Sequence, residues 1–153
     1  MSDLFTQYPF SAEVMARLRA DRSLDSRIRQ APLALAERRG DDPKRLDAES
    51  WRIAKLPGGR PEDYTRALAY ARTATRLGPF ESGYVNTLGA ALFRAAQYEG
   101  CLTVLQRASR LTDEPGISNL AFTAMAHHHL GAHEKAGIVL AELRAAGGCG
   151  MIR

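Results

Sequence analysis

Apolar residues recur along nearly the whole chain at the three- and four-residue spacing that lays them on one side of a helix. Nowhere do they alternate strictly with polar residues, as a half-buried strand requires. A first helix is expected over residues 11–20, with Ser11 as its N-cap and Val14, Met15 and Leu18 on one face. A second runs from Ser23 or Leu24 to Arg39 and stops at Gly40. Pro32 inside it removes a backbone donor and should kink the helix or divide it near Gln30. Residues 46–56 form another helix, broken by Pro57-Gly58-Gly59, and Pro61 opens the next, which reaches Leu77 before Gly78-Pro79 ends it. Four more are expected over 82–96, 98–111, 116–130 and 133–146, as two hairpins with short turns. Residues 147–153 are Gly-rich and read as a flexible tail.

The helical pattern repeats. Leu88-Gly89-Ala90-Ala91-Leu92-Phe93-Arg94 is followed by a second helix carrying Cys101, Leu105 and Ala108 on one face. Thirty-five residues later come Thr123-Ala124-Met125-Ala126-His127-His128-His129, then Ala136, Leu140 and Leu143. A third copy lies 34 residues earlier, with Trp51 in the large aromatic place and Ala67, Ala71 and Ala74 along its second helix; Pro57-Gly58-Gly59 cuts its first helix short. Small residues such as Gly89, Ala124, Cys101, Ala136 and Ala67 let two helix backbones approach. Leu88, Leu92, Leu105 and Leu140 fill the seam with the neighbouring hairpin.

These residues resemble the tetratricopeptide (TPR) repeat: the copy from Val85 to Asp113 matches its signature at Leu88-Gly89, Tyr98 and Ala108 and differs at Val85, Leu92, Cys101, Leu105 and Asp113. Segments such as Val14-Met15-Ala16-Arg17-Leu18-Arg19-Ala20-Asp21, Leu33-Ala34-Leu35-Ala36-Glu37 and Tyr84-Val85-Asn86-Thr87-Leu88-Gly89 are similar to the TPR-bearing C-terminal regions of large bacterial Ser/Thr protein kinases and WD-repeat proteins. The chain has no Gly-rich kinase loop and no HRD triplet, so the likeness implies an accessory interaction region. It implies an all-α fold, a right-handed stack of antiparallel hairpins with about seven helices. Residues 1–47 would be an N-terminal helical pair acting as a cap, 48–81 an atypical repeat, and 82–115 and 116–146 two good ones. By the same resemblance, Asn86, Ala90, Phe93 and Arg94 with Ala121, Met125, His128 and His129 would line a concave groove for a peptide bearing apolar side chains and some negative charge. The family's Asn and Lys/Arg clamp for a terminal carboxylate is not expected, because Thr87 and Ala90 stand where its Asn residues would be.

Composition narrows this little. The 153 residues are 45% apolar, 25% charged and 7% aromatic, which suits one folded domain. The net charge of +4 is dispersed, as in Glu37-Arg38-Arg39-Gly40-Asp41-Asp42-Pro43-Lys44-Arg45, and makes no basic stripe for nucleic acid. No apolar run is long enough to span a bilayer and no signal core opens the chain, so a cytoplasmic protein is expected.

Candidate chemistry is sparse. His127, His128 and His129 point about 100° apart on a helix and cannot all face one ion. His129 and His133 are separated by Gly131, where the helix should stop, so no metal site is expected. Cys101 reads as buried filler and Cys149 as an exposed tail thiol. Gly147-Gly148-Cys149-Gly150 lacks the Lys-Ser/Thr of a phosphate loop. Asp41-Asp42, Glu62-Asp63 and Asp113-Glu114 sit at helix starts and complement the helix dipole. The sequence therefore reads as a non-enzymatic interaction module that takes a protein or peptide and needs no cofactor. The alternative is a structural module that self-associates as a homodimer, and an enzyme ranks third.

Overall fold

The computed structural model describes residues 10–148, and all of its regular elements are helices. Among the described residues there are eight, matching one for one the eight segments of the sequence pattern and exceeding the about seven that the resemblance implied: α1 Ser11–Ala20, α2 Ser26–Arg39, α3 Pro43–Ala54, α4 Pro61–Leu77, α5 Ser82–Arg94, α6 Tyr98–Arg110, α7 Ile117–His129 and α8 His133–Gly148. Caps set most of the differences from expectation. Ser11 is the first residue of α1 and not its N-cap; its amide and hydroxyl both donate to Asp41 Oδ1, at 2.9 Å each, so a carboxylate thirty residues away supplies the cap. Asp21 holds Ser23 in a turn, and α2 starts only at Ser26, where Asp25 accepts from the Arg27 amide. Pro32 does not divide α2, which runs unbroken around it with the proline ring buried. Pro43 begins α3 three residues earlier than expected because it occupies the first turn, where no donor is needed, behind an Asp42 cap on the Lys44 amide. Gly147 and Gly148 of the expected tail continue α8; the tail's remaining residues, 149–153, lie outside the described residues together with 1–9.

The helices pack as successive antiparallel pairs. In the stack formed by α3 to α8, the first helices α3, α5 and α7 adjoin one another in one layer, and α4 and α6 each touch both their own partner and the first helix of the next hairpin. One contiguous core results, from Ala54 and Leu68 through Leu88, Leu92, Cys101 and Leu105 to Phe122 and Ala126. Buried polar side chains fasten the layers: Ser50 Oγ donates to the Ala67 carbonyl at 2.8 Å, and Asn119 Nδ2 to the Leu105 carbonyl at 3.1 Å. The α1–α2 hairpin has its own small core of Val14, Leu18 and Ala36. It joins the stack at its first residues, through the Asp41 cap and through Phe10, whose ring meets Tyr70 edge-on at 4.8 Å.

Two backbone features fix the hairpin geometry. A Cβ on Gly89 would run into the Leu105 side chain, with Leu105 Cγ only 2.6 Å away, so α5 and α6 are as close as they are because position 89 has no side chain. The turns α5–α6 and α7–α8 are the same motif: Gln97 and Ala96 donate to the Leu92 and Phe93 carbonyls, and Ala132 and Gly131 to those of His127 and His128. Both need a left-handed residue after the helix, Gly131 at φ 74° and Ala96 at φ 57°.

Gly89→Ala should destabilise the fold by about 1–3 kcal/mol through overpacking, read as a lower urea midpoint at unchanged slope. Ala96→Gly should stabilise by about 0.5–1 kcal/mol, because the left-handed conformation strains an alanine and not a glycine; a loss of stability would show that the turn is unstrained.

Candidate functional site

The eight expected groove residues divide into two groups. On α5, Ala90 is fully buried and Phe93 is 7% exposed. Phe93 stands at the centre of an aromatic cluster, 5.5 Å from Phe122, 5.4 Å from Tyr98 and 5.5 Å from His129. Trp51 of α3 meets Phe122 edge-on at 6.4 Å, a contact between the first and third hairpins of the stack. Arg94 lies over both phenyl rings, 5.5 and 5.6 Å from their centroids, and its Nε donates to the Ala54 carbonyl at 2.8 Å. Its Nη2 reaches the Lys55 carbonyl at 3.4 Å. The guanidinium therefore caps the C-terminus of α3, where unpaired carbonyls carry partial negative charge. Asn86 Nδ2 donates to Ser118 Oγ at 3.1 Å, bridging α5 to α7. The α5 side of the face is thus filled by the protein's own side chains, and Phe93 is a core residue whose truncation to Ala would cost about 3–5 kcal/mol.

The α7 residues differ. Met125, His128 and His129 are exposed and Ala121 is half-buried. Met125, His128 and His129 join Ala124, His133, Ala136, Gly137 and Leu140 around a cavity of about 330 Å³ between α7 and α8. His129 stacks on Tyr98 at 4.6 Å with the planes 11° apart, and His128 lies 4.9 Å from His133 at a tilt of 59°. His133, Ala136 and Leu140 were not among the expected site residues. The 35-residue offset was the signal that marked them: Ala90, Cys101 and Leu105 are 0, 0 and 1% exposed, while Met125 and Leu140 at the matching positions are 37 and 39% exposed. Ala136 and Leu140, four residues apart, share a side of α8 that no described helix beyond α7 covers.

A second cavity, about 450 Å³, lies between α6 and α8 over α7 and is lined by polar groups including Gln106, Ser109, Thr123, His127 and Glu142. Its hydroxyl at Ser109 is taken up by the Leu105 carbonyl at 3.1 Å and Asn119 Oδ1 at 3.4 Å, neither of which is a base. Burial, with a contribution from Lys135, pushes the His127 pKa down and favours its neutral form. Burial likewise pushes the Cys101 thiol up to about 12, which leaves no thiolate at neutral pH. Cys149 lies outside the described residues.

Two carboxylates, Glu13 of α1 and Asp47 of α3, each have an oxygen buried without a hydrogen-bond partner. Asp47 of α3 accepts from the Thr87 hydroxyl of α5, but its Oδ1 is buried without a hydrogen-bond partner. Desolvation outweighs the Thr87 bond and holds its pKa above the usual carboxylate value. No family model matches the chain, no curated protein matches it and no solved structure matches it. Among the described residues no helix is long and apolar enough to cross a membrane.

Because the folded-state pKa of Asp47 is raised, its contribution favours folding at low pH and is lost as pH rises through that value. Asp47→Asn should therefore raise the melting temperature at pH 7, and the gain should shrink as the pH falls toward 4 and the wild-type carboxylate takes up its proton. An equal gain at both pH values would place the effect in packing instead of charge.

Proposed function

We propose that this chain is a TPR-type interaction module that takes a short peptide or helical segment of a partner protein on the exposed α7–α8 face. The carrying observation is the contrast between matching repeat positions: Leu105 and Ala90 are sealed by the next hairpin, whereas Leu140 and Met125 are open to solvent. An exposed apolar seam rimmed by imidazoles suits a partner that offers apolar side chains at helical spacing with an acidic residue beside them. The occupied positions Phe93 and Arg94 support the stack, and recognition rests on Met125, His128, His129, Ala136 and Leu140. The same seam favours a second reading, self-association of two copies, because an uncovered hairpin face can be buried by another. An enzyme is the third reading; the apolar and imidazole side chains around this cavity favour binding over it.

Panning a displayed peptide library against the wild type, with Met125→Glu/Leu140→Glu as the counter-target, should enrich sequences with apolar residues three and four apart that the double variant does not retain. The variant should melt within about 2 °C of the wild type, since both positions are exposed. Peptides held equally by both proteins would put recognition elsewhere. A concentration-dependent dimer that the double variant abolishes, with no peptide enriched, would establish self-association in its place.

A further inference from the structure

The turn between α7 and α8 builds a ring pair that the preceding repeat builds with different rings. Phe93 and Tyr98 flank the α5–α6 turn and meet at 5.4 Å with a tilt of 59°. Thirty-five residues on, His128 and His133 flank the α7–α8 turn and meet at 4.9 Å with the same 59° tilt. The backbone bonds of the two turns correspond one for one, so the pairing of these positions is a property of the turn. What changes in the second copy is the chemistry, because both apolar rings have become imidazoles.

We propose that His128 and His133 form a two-histidine site for a borderline divalent transition metal such as Zn(II) or Cu(II). Two imidazoles bound to one ion at about 2.0–2.1 Å, with an angle of 90–110° at the metal, have centroids about 4.5–5.2 Å apart, and the observed 4.9 Å falls in that interval. A tilted pair allows ring nitrogens to converge, which a stacked pair does not. His129 is excluded: it is stacked on Tyr98 at 11° and lies 6.3 Å from His128. His127 is on the other side of α7, lining the polar cavity. Among the described residues no group of three or more His, Cys, Asp or Glu side chains is arranged to hold a metal, so water completes the coordination and the ion is exchangeable. The pair lines the 330 Å³ cavity, which leaves those open positions within reach of a partner's own carboxylate or imidazole. The site follows from the turn and stands whether or not a peptide binds the apolar seam.

The test is calorimetric titration of the full chain, carrying no histidine tag, with zinc chloride and with copper(II) chloride. One ion per chain should bind with a micromolar dissociation constant. His128→Ala and His133→Ala should each weaken binding about tenfold or more, while His127→Ala and His129→Ala stay within about twofold. The double variant His128→Phe/His133→Tyr, which installs the rings of the preceding repeat, should keep the fold and lose the ion. Absence of binding, more than one weak ion per chain, or an equal loss on removing His127 or His129 would overturn the assignment.

Discussion

A helix hairpin has more apolar surface than its two helices can hide from each other, and the rest of this molecule follows from that mismatch. Gly89 lets α5 and α6 approach until Leu105 occupies the space a side chain would have taken. This buries one seam and leaves another, which α7 closes by laying Phe122 and Ala126 into the core and by sending Asn119 to the Leu105 carbonyl. Each hairpin solves the problem for its predecessor and poses it again. At α7–α8 it is posed with no described helix to answer, and the residues left showing are the counterparts of the most deeply buried ones one repeat earlier.

The stack also closes on its inner side. Pro57-Gly58-Gly59 ends α3 early, and the carbonyls of Ala54 and Lys55 are left without helical partners. Arg94 supplies the donors, and in doing so it lies over Phe93 and Phe122, the second of which Trp51 also meets edge-on. A shortened helix in one hairpin thereby recruits a side chain from the next. The Asp47 carboxylate, with one oxygen stranded beside the same layer, is the weak point of this arrangement.

The periodicity and the 35-residue offset were enough to read the all-helical class, every hairpin of the stack and the small-residue contacts, because a helix face and a close approach are both written in local spacing. Helix starts were read less well where the cap comes from a distance or from a proline: Asp41 capping α1 and Pro43 opening α3 are matters of tertiary geometry and turn chemistry. The exposure of the expected groove was legible by halves: Met125, His128 and His129 are exposed, but the same positional reading included Ala90 and Phe93, which the fold buries. Nothing local announces that Trp51 will reach Phe122 across an intervening helix, so the closure of the inner face was hidden.

His133 was hidden for a different reason, one that concerns how turns carry chemistry. Spacing along a helix pairs His129 with His133, and Gly131 forbids that helix. Yet the left-handed residue that stops α7 also reverses the chain so that the fifth residue after His128, instead of the fourth after His129, returns to the same surface. The earlier repeat shows the rule operating on neutral rings, with Ala96 tolerating the strained conformation so that Phe93 and Tyr98 can meet. A repeat protein thus preserves backbone turns while exchanging the side chains they bring together. Here, that exchange turns a core contact into a surface pair of imidazoles beside an open apolar seam.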